Sequence, residues 1–150
     1  MVIEVAAALI QDEAGRYLIT QRPPDSHLAG LWEFPGGKRE PDETLEACLR
    51  RELVEELGAT FAVGDKVDTI RWEYPDRTIV LHFYRCRLVS GTIAPRESQV
   101  MAWGGLEELG DAEGHRVVEV VLHRLEQADG RIVEELERAV NPKTAMMLFF

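Results

Sequence analysis

Apolar positions run almost without interruption over residues 2–10, broken only by Glu4, and the run is β-prone. Turn residues follow at Asp12-Glu13-Ala14-Gly15, after which Tyr17-Leu18-Ile19-Thr20 resumes a strand, so the two segments read as a hairpin. Residues 22–30, with Pro23, Pro24, Asp25, Ser26 and Gly30, form a polar loop that holds no regular structure for long. A short apolar stretch, Leu31-Trp32-Glu33-Phe34, then stops at Pro35-Gly36-Gly37, where glycine admits backbone angles that other residues resist.

The pattern changes over residues 43–57, which contain no Gly or Pro and are dominated by strong helix formers. Thr44 stands where an N-cap belongs and Gly58 where a left-handed C-terminal residue belongs. Strand-like stretches return at 67–74 and 78–88, joined by Pro75-Asp76-Arg77 as a second hairpin. After a loop over 91–98, Val100-Met101-Ala102-Trp103 is a short strand, and 117–125 and 132–140 read as helices. The end of the chain, Met146-Met147-Leu148-Phe149-Phe150, is apolar and leaves both a monomer and a homodimer open. There is no internal repeat.

Composition narrows what such a chain does. Its 150 residues, 45% hydrophobic and 29% charged, suit one domain with one core spanning 1–150. A net charge of -10 argues against tracking a nucleic-acid backbone, which requires a basic face. Any polyanionic ligand needs imported positive charge, most simply a divalent cation. Cys48 and Cys86 lie far apart in sequence and read as reduced thiols packed as small apolar groups. The start Met1-Val2-Ile3-Glu4 has no basic leader and no apolar run spans a bilayer, so the expected location is cytoplasmic, away from membranes.

Candidate chemistry sits on the 43–57 helix. At about 100° per residue, Glu52, Glu55 and Glu56 share one sector while Leu49, Leu53 and Leu57 form the adjacent apolar stripe. Like charges at these spacings cost a few tenths of a kcal/mol per pair, a cost that a bound cation reverses. Oxygen-only ligands favour Mg²⁺ or Mn²⁺, and no His or Cys cluster suggests zinc. Arg51, four residues before Glu55, is placed to orient a carboxylate and hold a general base.

From Gly37 the spacing runs five residues to Glu43, seven to Arg51-Glu52, then Leu53, Val54, Glu55-Glu56, Leu57 and Gly58-Ala59. This resembles the Nudix box, Gly-x5-Glu-x7-Arg-Glu-U-x-Glu-Glu-x-Gly-U with U bulky and apolar; the one departure is the small Ala59. Arg22, Asp25, His27, the run Glu33-Phe34-Pro35-Gly36-Gly37-Lys38, Tyr74 and Pro75-Asp76-Arg77 further resemble the MutT-like branch, nucleoside triphosphate pyrophosphohydrolases that remove oxidised guanine nucleotides. The resemblance implies an α/β fold, the Nudix α/β/α sandwich, with a mixed, partly curled sheet between helices. It places metal ligands at Glu52, Glu55, Glu56 and the Gly36 carbonyl, with Glu97 as a further ligand or general base. It sets Lys38 and Arg22 on the phosphates, and Phe34, Arg77 and His27 on the nucleoside side. Phe34 reads equally as plain core, and His27 as a solvent-exposed loop residue.

Cleavage of a phosphoanhydride needs charge stabilised on phosphate oxygens while water attacks in line, and a carboxylate to take the water's proton. Glu52 and Glu97 both qualify from sequence. The stretch 109–115 offers no counterpart of the asparagine that reads the oxidised base in such enzymes, so the substrate is open. The resemblance points first to oxidised dGTP (8-oxo-dGTP), with pyrimidine triphosphates, dinucleoside polyphosphates and nucleotide sugars as alternatives. A non-catalytic nucleotide-binding module is the other class; such modules commonly lose box glutamates, and this chain keeps all of them.

Overall fold

The computed structural model describes residues 1–21, 32–73, 75, 77–97 and 100–104. Along them run β1 (Val2–Ile10), β2 (Tyr17–Gln21), β3 (Trp32–Glu33), β4 (Gly36–Lys38), α1 (Leu45–Leu57), β5 (Thr60–Glu73), β6 (Thr78–Ser90) and β7 (Val100–Gly104). The expected helices over 117–125 and 132–140, the loop 109–115 and the tail 146–150 lie outside the described residues.

Four strands form a mixed sheet in the order β4-β1-β6-β5. β1 runs parallel to β6, from Val2 opposite Thr78 to Ile10 opposite Cys86, and antiparallel to β4, with Ala6 opposite Gly37 and Ala7 opposite Gly36. Two central strands covered on both faces must be apolar throughout. Residues 5–10 and 79–84 are accordingly buried without a break, His82 included. The remaining strands make a second, antiparallel sheet ordered β3-β2-β7.

The first expected hairpin does not form as such. The chain reverses where predicted, with the Asp12 N–H donating to the Arg16 carbonyl at 2.9 Å and the Gly15 N–H to the Asp12 carbonyl at 3.1 Å. Between the two arms, however, the pairing among the described residues is the single bridge Gln11–Tyr17. Both hydrogen-bonding edges of β1 are taken by β4 and β6, so β2 turns away and pairs with β3 and β7. The second hairpin is present, but β5 begins at Thr60 rather than at 67. The sheet takes Gly64 and Asp65 into the strand through register shifts between Val63 and Lys66 and between Lys66 and Asp68.

α1 packs its stripe of Cys48, Leu49, Leu53 and Leu57 onto Ala6, Ala8 and Ile10 of β1, with Leu18, Phe61, Tyr84 and Cys86 around them. The small alanines let the helix and the glycines of β4 approach β1 closely. Each fully buried leucine of that stripe is worth about 2–5 kcal/mol against truncation to alanine. Phe34 stands edge-to-face with Tyr17 and Phe83, at centroid distances of 6.5 and 6.1 Å. Both cysteines are free and buried, as the sequence suggests.

Candidate active site

α1 is a scaffold fixed at both ends. The Thr44 Oγ1 accepts the Ala47 N–H at 3.1 Å, and Gly58 takes the left-handed conformation (φ 66°), its N–H donating to the Val54 carbonyl at 3.0 Å. With the leucine stripe facing the core, the neighbouring sector of Arg51, Glu52, Glu55 and Glu56 is turned toward β4.

Arg51 is the hub of that sector. Its guanidinium contacts both Glu43 oxygens, at 2.6 Å (Nη2 to Oε1) and 3.1 Å (Nε to Oε2). It also donates to Glu52 Oε1 at 2.9 Å, to Glu55 Oε2 at 3.4 Å and to the Lys38 carbonyl at 3.3 Å. The bond to Arg51, with a further one from the Glu40 N–H, holds the Glu43 carboxyl down to about 2. Sequence reading placed Arg51 beside a carboxylate; it missed that Glu43, eight residues earlier, anchors the guanidinium in a bidentate pair.

Two glycines bring the other carboxylates inward. A Cβ at Gly37 would collide with the carboxylate of Glu52, and one at Gly36 would collide with the Ala6 carbonyl and the β1 backbone. The Gly36 N–H donates to Glu56 Oε2 at 3.3 Å. Burial raises the Glu56 carboxyl well above its ordinary value, helped by the negative charges of Glu33, Glu52 and Glu97. Burial likewise raises Glu52, against the pull of Arg51 and with added repulsion from Glu55 and Glu97. Glu97 is exposed, but the segment before it is tied to the end of α1: the Ala94 N–H donates to the Leu57 carbonyl at 3.0 Å and the Arg96 N–H to the Glu56 carbonyl at 2.8 Å.

The remaining candidates divide. Lys38 is exposed at the end of β4, on the residue whose carbonyl meets Arg51. Phe34 is 3% exposed and packed between rings, so in this conformation it is a core residue. Arg77 precedes Thr78 at the opposite end of β1 from the glycines; Val2 and Ala7 mark the two positions, five residues and ~17 Å apart along the strand. The structure thus sets Arg77 away from the carboxylates. Arg22 and His27 lie outside the described residues. Glu33 is a neighbour of Glu56 that sequence reading passed over; its place three residues before Gly36 was the available signal.

Among the described residues no three acidic, His or Cys side chains are already drawn together as a ligand group. Glu52 and Glu56 are turned onto the glycines and Glu55 onto Arg51. The donor chemistry nevertheless fits a hard divalent ion: the groups are all carboxylates, two are partly or largely removed from water, and burial together with neighbouring negative charge raises the proton affinity of those two, Glu52 and Glu56. Such a region of negative potential is relieved by a cation.

A family model described as NUDIX domain matches residues 6–124. The CTP pyrophosphohydrolase of Escherichia coli K12 is 45% identical over 106 residues, covering 71% of this chain and 78% of that protein. The 8-oxo-dGTP diphosphatase of the same strain is 34% identical over 125 residues, covering 83% of this chain and 97% of that protein. The crystal structure of a MutT protein from Methanosarcina mazei Go1 superposes with a TM-score of 0.69 at 27% identity, covering 84% of this chain and 96% of that one. The chain belongs to the NUDIX family, as a MutT-like hydrolase with the divalent-metal dependence general to that family. No helix among the described residues is long and apolar enough to cross a membrane.

Proposed function

We propose that this protein hydrolyses a nucleoside triphosphate to the monophosphate and pyrophosphate with Mg²⁺ (or Mn²⁺), and that oxidised dGTP (8-oxo-dGTP) is its preferred substrate. The observation that carries the reaction is the Glu56 carboxylate, buried on the Gly36 N–H with Glu33, Glu52 and Glu97 around it. Glu52, Glu55, Glu56, Glu97 and the Gly36 carbonyl would hold the ion. When bound, it supplies positive charge for the phosphate oxygens and for the charge that develops on the leaving pyrophosphate. Lys38 and Arg22 add cationic contacts to the phosphates, and Arg77 and His27 are the nucleoside-side candidates.

Glu52 is the better placed of the two candidate bases. It is fixed by Arg51, sits against Gly37 and has a proton affinity raised toward the working pH, which is what abstraction of a proton from water requires. The guanine substrate is supported by the 8-oxo-dGTP diphosphatase relative, which aligns over nearly its whole length. A pyrimidine triphosphate is the second reading, supported by the more identical CTP pyrophosphohydrolase.

Pyrophosphate release from 8-oxo-dGTP, dGTP, CTP and dCTP, with and without Mg²⁺, tests these statements. The expected result is metal-dependent release with the highest kcat/KM on 8-oxo-dGTP; a higher value on CTP transfers the assignment to the second reading, and no release from any of them removes the reaction. Glu52→Gln is expected to lower kcat by about 100-fold with the thermal melt preserved, the usual scale for a lost general base. Near-normal turnover in that variant leaves Glu97 as the base.

A further inference from the structure

We infer that residues Ala94 and Arg96, bound to the last carbonyls of α1, together with the bare Cα of Gly58 beneath the Arg96 guanidinium, form a positioning clamp for Glu97. The last carbonyls of a helix have no partner within it. Here the Leu57 carbonyl takes the Ala94 N–H at 3.0 Å and the Glu56 carbonyl takes the Arg96 N–H at 2.8 Å. The second bond starts from the residue before Glu97 and ends on the backbone of Glu56. It couples the loop after β6 directly to the residue that carries the buried carboxylate.

Gly58 has a second use beyond ending the helix. A Cβ on it would run into the Arg96 guanidinium, Nε first. The left-handed cap alone tolerates asparagine in place of glycine; the seat for Arg96 does not, because any side chain begins with a Cβ. A cationic group lying over the helix C-terminus is also favoured by the partial negative charge there. Glu97 follows directly on the residue bonded to the Glu56 backbone, so the loop delivers it to the carboxylate end of α1.

The inference rests on the reading of Glu97 as part of the metal site, and the experiment keeps the two apart. Ala94→Pro deletes one backbone donor, with Ala94→Ser as the control that keeps it; Gly58→Asn keeps the cap conformation but displaces Arg96. Each is made alone and with Glu97→Gln, and read out by Mn²⁺ titration of the substrate-free protein by EPR, by kcat/KM with Mg²⁺, and by thermal melt. Expected are roughly tenfold weaker Mn²⁺ binding and lower kcat/KM for Glu97→Gln. Ala94→Pro and Gly58→Asn should show a similar but smaller loss, Ala94→Ser none, and the clamp variants no further loss once Glu97 is Gln. Losses that multiply with Glu97→Gln, or clamp variants with unchanged Mn²⁺ affinity, overturn the inference while leaving Glu97 in place. A silent Glu97→Gln overturns the role of Glu97 and the clamp with it. Should Ala94→Pro not fold, the Gly58→Asn pair decides the matter by the same criteria.

Discussion

Gly36 and Gly37 are adjacent and chemically identical, but only Gly37 belongs to the box spacing, and the two do different physical work. Gly36 has a φ of 154° and faces the backbone of β1, so a methyl group there meets atoms that cannot move without opening the sheet. Gly37 has no positive φ, and what its missing Cβ makes room for is the carboxylate of Glu52. The two alanine variants should therefore fail in different ways. Gly36→Ala is expected to lower the thermal midpoint strongly, by the several kcal/mol that overpacking and strain together cost. Gly37→Ala is expected to keep most of the midpoint and to lose at least tenfold in kcat, because the side chain it displaces is the candidate base. Thermal melts and pyrophosphate release on both variants check this, and the idea fails if Gly37→Ala melts early or keeps full kcat.

At the scale of elements, α1 was legible in sequence because everything that defines it is local. Helix formers, the Thr44 cap and the Gly58 terminator lie within one stretch, and the observed limits Leu45–Leu57 fall just inside the expected 43–57. The carboxylate sector followed from the same periodicity. What was not legible was pairing between distant segments. β1 reaches across the chain to a parallel partner in β6, and having used both its edges it releases β2 to a second sheet, which no nearby residue encodes. Glu33, Arg96 and the anchoring of Arg51 by Glu43 escaped for the same reason: each acts through space, across a turn or a strand. The local nature of the cap makes it testable by itself. Thr44→Ala should cost about 1 kcal/mol, roughly 2–4 °C in Tm for a domain of this size, with kcat unchanged because Thr44 touches none of the carboxylates. An unchanged Tm would mean that the fold of α1 rests on its buried stripe alone.

Taken as a whole, the molecule holds a surplus of negative charge and places part of it where water is scarce. Glu52 and Glu56 both have proton affinities raised above the unfolded carboxylate value near 4.3. Below that value both states are protonated and the groups cost nothing; as the pH rises through it the unfolded chain ionises freely while the native state resists, so their contribution to stability falls with pH. His82, on Glu4 at 3.3 Å and on Thr69 at 3.5 Å, works the other way. Burial and the charge of Lys66 hold its proton affinity down, and the stability it contributes is full above the unfolded histidine value and lost as the pH falls below it. A bare pH–stability curve mixes the two effects, but the difference between the wild type and Glu56→Gln cancels His82. Without metal, Glu56→Gln should gain on the wild type as the pH is raised from about 5 to about 8. Millimolar Mg²⁺ or Mn²⁺ should then close the gap by stabilising the wild type more than the variant, since an ion that binds only the native state stabilises it by mass action. A variant that is less stable than the wild type at the upper pH without metal, or equally stabilised by it, would show that the buried carboxylate is a structural partner of Gly36 and not a charge kept in place at a cost to stability for the sake of a cation.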